Sequence, residues 1–280
     1  MNFKLKVLLA ATALAVAGQA SAAIDLPASA NGELFVDVTD SIAGISFTGD
    51  LGAPTTVLNS AYIPTDPRAK DFTVAATSAP GTTYVWDLTG FGAWGTFKTS
   101  ASAANAVFDV VGGFRTSTST AGGQALLTTS VNPITSSGAG SFSNGGVTTV
   151  LTKLGTMFLD GATGVNAMPG MAVANGSTTA VAADAYAYTG TSKGDYLFAT
   201  SIKSTDSVAN SLSFYQLVTS SSSSLGKSVA TAYAGSWSLD YAGNKLSYSV
   251  AAPVPEADTW AMMLAGLMVV GGITRRRMSA

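Results

Sequence analysis

No histidine and no cysteine occur anywhere in the 280 residues. A Ser-His-Asp triad, a cysteine nucleophile and the usual zinc sites are therefore excluded, because each needs an imidazole or a thiolate. What remains is chemistry on oxygen atoms and aromatic faces. Glu33, Asp37 and Asp40 fall together in "NGELFVDVTD", and a glycosidase needs only two acids several ångströms apart. On an extended strand, residues 33 and 37 stand about 13 Å apart. Those two alone are no catalytic pair, and solvation at a strand edge is the reading they support. Asp160, in the glycine loop "LDGATGVN", offers one carboxylate with backbone carbonyls. The dense acidic spacing of an EF-hand is missing, so the segment reads as a plain turn. These patterns assign no catalytic residue, no metal site and no cofactor.

The strongest binding feature is "TYVWDLTGFGAWGTFK", where Tyr84, Trp86, Phe91, Trp94 and Phe97 crowd into fourteen residues. Trp86 sits between Val85 and Asp87 in an alternating pattern, as a core aromatic does. Glycines flank Phe91 and Trp94, which makes them the pair expected at the surface. Exposed, they would stack on sugar rings and give a carbohydrate-binding module that grips exopolysaccharide; core packing is the favoured alternative for the cluster.

The elements that must carry these residues are short. Alternating or apolar stretches punctuated by Gly, Ser, Asn and Asp recur from Ala23 to Ala252: "ELFVDV", "GISFTG", "DFTVAA", "TYVWDL", "AVFDVV", "VTTVLT", "AYAYT", "DYLFAT" and "SFYQLVT". Many short strands with turn signals predict an all-β domain, a β-sandwich or jelly roll. The clearest local element is a hairpin in "SWSLDYAGNKLSYSV". Trp237, Leu239 and Tyr241 alternate before Ala242-Gly243-Asn244, and Leu246, Tyr248 and Val250 alternate after it. In "SASAANAVFDVV" the alanines favour helix, but Val107, Phe108, Val110 and Val111 pull the segment to strand. Two stretches read as loops with no apolar face: "TSSGAGSFSNGGV" at 135–147 and the serine run at 220–224. "NGS" at Asn175 to Ser177 matches a glycosylation sequon.

Both termini carry targeting patterns. Lys4 and Lys6 precede an apolar run from Val7 to Ala17 and a small-residue site at Ala20-Ser21-Ala22. This is the layout of a secretory signal peptide cut after Ala22 by signal peptidase. At the other end, "VPEADTWAMMLAGLMVVGGITRRR" runs from Val254 to Arg277. Trp260 to Ile273 is uncharged, and its fourteen residues span about 21 Å as a helix, short of a hydrocarbon core of about 30 Å. Trp260 suits one interface, while Arg275, Arg276 and Arg277 suit the cytoplasmic one. Pro253 and Pro255 hold the preceding chain extended.

This tail resembles the PEP-CTERM sorting signal, a tripartite tag of Gram-negative bacteria read by the membrane protease-transpeptidase exosortase. The resemblance covers about the last twenty-five residues. Val254, Pro255 and Glu256 match the motif, Ala257 stands where the family usually has a second proline, and Trp260 and "MLAGL" follow. It implies transit through the inner membrane, cleavage near the motif by exosortase, and delivery to the outer surface or an exopolysaccharide matrix.

The chain thus divides into a signal peptide (1–22), a β-rich extracytoplasmic domain (23–252) and a sorting tail (253–280) with its transmembrane helix. Without the terminal segments' charges, nine basic and fourteen acidic residues remain. A balance of about −5 leaves no electrostatic footprint for nucleic acid. The expectation is a non-enzymatic, exported protein of the cell surface or biofilm.

Overall fold

A computed structural model of the chain describes residues 32–52, 54–58, 72–73, 80–117, 121–158, 176–181, 206–252 and 262–269. In chain order the elements are β1 (Leu34–Asp40), β2 (Ile45–Asp50), β3 (Thr56–Leu58), β4 (Thr83–Asp87), α1 (Gly92–Ser100), β5 (Val107–Arg115) and β6 (Gln124–Ser130). They continue as α2 (Asn144–Phe158), β7 (Ser177–Val181), β8 (Asp206–Ser207), β9 (Leu212–Val218), β10 (Val229–Asp240) and β11 (Lys245–Val250). The protein is mostly β, as expected. Its strands, however, join in one antiparallel sheet, ordered β3-β4-β11-β10-β9-β6-β5-β1-β2-β7 with β8 beside β5, curled into a half-barrel. The sequence patterns had suggested two facing sheets. Period-2 alternation identifies a strand with distinct faces but does not say which strand lies beside it.

Alternation explains the two faces. Leu34, Val36 and Val38 of β1 join Phe47, Phe108, Phe214, Trp237 and Tyr248 in the inner core. The intervening Phe35 joins Val111, Leu126, Tyr215 and Leu217 on the outer face, where α2 lies across β5, β6 and β9. Rings dominate the inner core. Trp237 stands 5.2 Å from Trp86, 5.1 Å from Tyr248 and 5.3 Å from Phe72. Each such ring buries about 150–250 Å², or about 4–6 kcal/mol at about 25 cal/mol per Å² before the entropy of ordering it. A chain with no cysteine relies on this burial and on the ladder of the sheet.

The hairpin in "SWSLDYAGNKLSYSV" forms as its pattern predicts, with Leu239 opposite Leu246 and Trp237 opposite Tyr248. Asn244 takes a positive φ of 57°, a conformation that Asn tolerates. "SASAANAVFDVV" likewise resolves to strand from Val107 onward. Three segments differ from expectation. "VTTVLT" lies within α2, not in a strand. Its Val147, Val150, Leu151 and Leu154 recur at helical spacing and all are buried on the outer face. The described part of "DFTVAA", residues 72–73, is helical, with Phe72 fully buried. The 135–147 stretch does bury an apolar face, since Phe142 and Val147 belong to the outer core and α2 begins at Asn144. Gly113 is required where α2 docks: a Cβ there would meet the Ala125 carbonyl and the Leu151 side chain. "AYAYT" and "DYLFAT" lie outside the described residues, as do the signal helix and most of the tail.

Candidate functional site

The aromatic pair expected at the surface is inside. Phe91 is 6% exposed and Trp94 2%. The glycines around them do not open a loop; Gly92 begins α1 and Gly95 lies within it. Trp94 and Phe97, three residues apart, share the face of α1 that enters the inner core. Trp94 lies 5.1 Å from Phe47 and 5.6 Å from Tyr241, with edge-on geometry to both. Sugar stacking through Phe91 and Trp94 is therefore ruled out by burial, and core packing holds.

These contacts show what α1 does. The helix rests on β2 and β7 at one end of the sheet. Trp94 also reaches the other end, where its Nε1 donates to Asn244 Oδ1 at 2.9 Å. Lys98 Nζ donates to the same Oδ1 at 2.7 Å and to the Tyr241 carbonyl at 2.9 Å. Its ammonium lies 4.9 Å from the Tyr241 ring, a cation–π contact. The helix thus closes the open side of the half-barrel.

The carboxylates separate by strand parity. Asp40 caps the β1–β2 turn, its Oδ1 accepting from the Ile42 and Ala43 amides and its Oδ2 from the Ser102 amide. Burial alone would raise its pKa, but the backbone donors of Ala43, Ser102 and Ile42 together hold it below the usual carboxylate range. Asp37 faces the opposite way and stands directly across from Asp109 of β5. The Thr48 hydroxyl donates to Asp37. Asp109 is the partner that sequence reasoning missed, because 72 positions separate the two and only strand register unites them. At 1% and 0% exposure, Asp37 and Asp109 are sealed from any substrate. Among the described residues no group of three or more acids could hold a metal ion. The Asp160 loop and Asn175 lie outside those residues, as do Ala20, Ala22, the sorting motif at Val254, Pro255, Glu256, Ala257 and Trp260, and Arg275, Arg276 and Arg277.

One polar cleft is built by segments that read as loops. It holds ≈ 360 Å³ between β6, the first turns of α2 and the serine run. Thr148, Thr149, Thr219, Ser221, Ser222 and Ser224 contribute to its wall, with the amides of Gln124 and Asn144. Asn144 organises the mouth. Its Nδ2 donates to the carbonyls of Ser223 at 2.9 Å and Ser221 at 3.2 Å, while its Oδ1 accepts from the Ser220 amide at 3.1 Å. The serine run is therefore clamped to the helix, not merely solvated. Gly226 permits this approach, since a Cβ there would lie 2.7 Å from Asn144 Nδ2. No sequence motif marks the cleft; the signal was the asparagine at the start of an unrecognised helix.

No family model, curated protein or solved structure matches the chain. The residues themselves carry whatever is inferred about function.

Proposed function

We propose that the chain is an exported, non-enzymatic protein of the outer surface or biofilm matrix, delivered by a signal peptide at 1–22 and a PEP-CTERM-like tail at 253–280. One observation carries the reading. Residues 262–269 form a helix, and every one of them is exposed, Met262 at 74% and Met268 at 72% among them. A helix apolar on all sides has no face suited to water and none laid on the sheet, which favours a lipid surrounding. Among the described residues no helix is long and apolar enough to cross a membrane. In the sequence, uncharged residues continue to Ile273 and Arg275 to Arg277 follow, charges suited to a cytoplasmic interface.

The route out of the body supports the same reading. β11 ends at Val250, and Ala251 and Ala252 are exposed immediately before Pro253. Without N–H groups, Pro253 and Pro255 cannot extend the ladder along β10. The proposal needs a membrane protease such as exosortase to reach the motif, and the exposed exit from β11 is compatible with that.

The test is intact mass by cell fraction for the wild-type chain and for a chain lacking Val254 to Ala280. The proposal expects the wild type to lose both termini, the second cut falling near Pro255 to Ala257, and to reach the surface or medium. The truncated chain should stay in the periplasm. Identical final locations for the two chains would refute the reading.

A further inference from the structure

We propose that the cleft between β6, α2 and the serine run binds a neutral polyhydroxyl ligand, one or two sugar units of an uncharged glycan. This goes beyond the sorting proposal and does not depend on it, since it concerns binding by the folded body.

The wall selects the ligand class by what it lacks. Among the described residues, no carboxylate, ammonium or guanidinium lines the cleft, and no large apolar side chain does. A cation, a lipid tail or an aromatic ligand would find no complementary group there. An anion would be drawn to the start of a 15-residue helix, but the amides that would hold it are already engaged. Those of Asn144 and Gly145 donate to the Gly226 and Ser224 carbonyls, and those of Gly146 and Val147 donate to Ser143. What the cleft offers is hydroxyls and amides, groups that both give and accept hydrogen bonds. A neutral polyol is the ligand that matches them.

A second observation points the same way. Gln124 is 2% exposed, forms part of the wall, and its Oε1 has no hydrogen-bond partner among the described residues. Directly opposite it across the β5–β6 ladder is Arg115. The Arg115 Nη2 donates to the Thr148 carbonyl and the Thr152 hydroxyl on α2, yet its Nε is buried without a partner among the described residues. Facing residues on one side of a sheet have Cβ atoms about 5 Å apart, so the two side chains are neighbours on the face beneath α2. A ligand hydroxyl in the cleft can donate to Gln124 Oε1. Leaving a buried acceptor unmet is costly in a folded protein, and a hydroxyl of the bound ligand removes that cost for Gln124.

Size and rigidity agree. A volume of ≈ 360 Å³ lies at the small end of ligand sites, enough for a short saccharide segment. The Asn144 clamp fixes the serine run before any ligand arrives, so little ordering is left for binding to impose. With no aromatic platform among the described residues of the wall, affinity should lie in the millimolar range, useful where many copies meet one polymer.

The experiment uses the full chain in a detergent without a sugar head group. Saturation-transfer NMR and calorimetric titration would be run with a neutral glucan tetrasaccharide, a neutral mannan tetrasaccharide, a galacturonate tetrasaccharide and inorganic phosphate. At least one neutral saccharide should bind, more tightly than the galacturonate and the phosphate. Gln124→Leu removes the orphan acceptor, and Thr149→Phe fills the mouth from an exposed position; each should weaken binding about tenfold or more with near-ultraviolet dichroism unchanged. If Gln124→Leu does not fold, Thr149→Phe decides alone. Absence of neutral-saccharide binding, preference for phosphate or galacturonate, or binding undiminished in the folded variants would each overturn the proposal.

Discussion

Asn244 is the residue on which closure of the half-barrel should be most sensitive. Its Oδ1 is the acceptor for the indole N–H of Trp94, a side chain only 2% exposed, and it also accepts from Lys98. Its backbone meanwhile holds a φ of 57° in the β10–β11 turn. Three substitutions separate these duties. Asn244→Gly keeps the backbone conformation and removes the acceptor, leaving a buried indole N–H unmet at about 2 kcal/mol. Lys98 keeps its bond to the Tyr241 carbonyl, so the charge itself is not stranded. Asn244→Ala removes the acceptor and adds left-handed strain of about 1–2 kcal/mol, for a total of about 3–4 kcal/mol. Asn244→Asp retains both the acceptor and the turn preference and should stay near wild type. A domain of this size shifts its melting temperature by about 2–4 °C per kcal/mol. The order expected in thermal unfolding followed by tryptophan fluorescence is therefore wild type and Asp together, Gly about 4–8 °C lower, and Ala lower again. A glycine variant as stable as wild type would refute the claim that this carbonyl ties α1 across the gap. An aspartate variant falling as far as alanine would refute it equally.

Trp94→Ala should cost about 3–5 kcal/mol, because the ring packs among Phe47, Phe97 and Tyr241; equilibrium urea unfolding measures it, and a change below about 1 kcal/mol contradicts the burial. Gly113→Ala should push Leu151 and α2 away from β5, destabilising by about 1–3 kcal/mol. Amide exchange should then rise in residues 144–158 before it rises in β1 or β2. Asp40 has a lowered folded-state pKa, so its contribution is present above the unfolded-state value of about 3.9 and disappears as pH falls through the lower folded value. Asp40→Asn should be less stable than wild type at neutral pH, and the gap should narrow in strong acid; a constant gap in urea melts across that range would contradict the assignment.

Much of the sheet was legible because its strands announce themselves locally. β1, β2, β4, β5 and β9 fall on segments that alternate or run apolar between turn residues, and the last hairpin was readable down to its turn. The helices were not, for two different reasons. In α2 the apolar residues at 147, 150, 151 and 154 have helical spacing, but five β-branched residues in "VTTVLT" argue for strand on propensity, and packing on the outer face overrides it. In α1 the glycines at 92 and 95 weaken any helical signal; the helix is held by Trp94 and Phe97 inserting into the inner core. The polar cleft was invisible for a further reason, since both of its flanks look like solvated loops until Asn144 joins them.

The sequence by itself determined what is local: the missing imidazoles and thiols, the alternation that gives each strand an inner and an outer face, and the asparagine turn of the hairpin. Tertiary structure alone decided what is distant. It set Asp37 against Asp109, turned Phe91 and Trp94 inward, laid α1 across the gap in the half-barrel, and brought Gln124 opposite Arg115 beneath α2. The reason is physical: side-chain alternation and turn preference act over a few residues, whereas strand neighbours and buried polar partners are chosen by the free energy of packing the whole sheet.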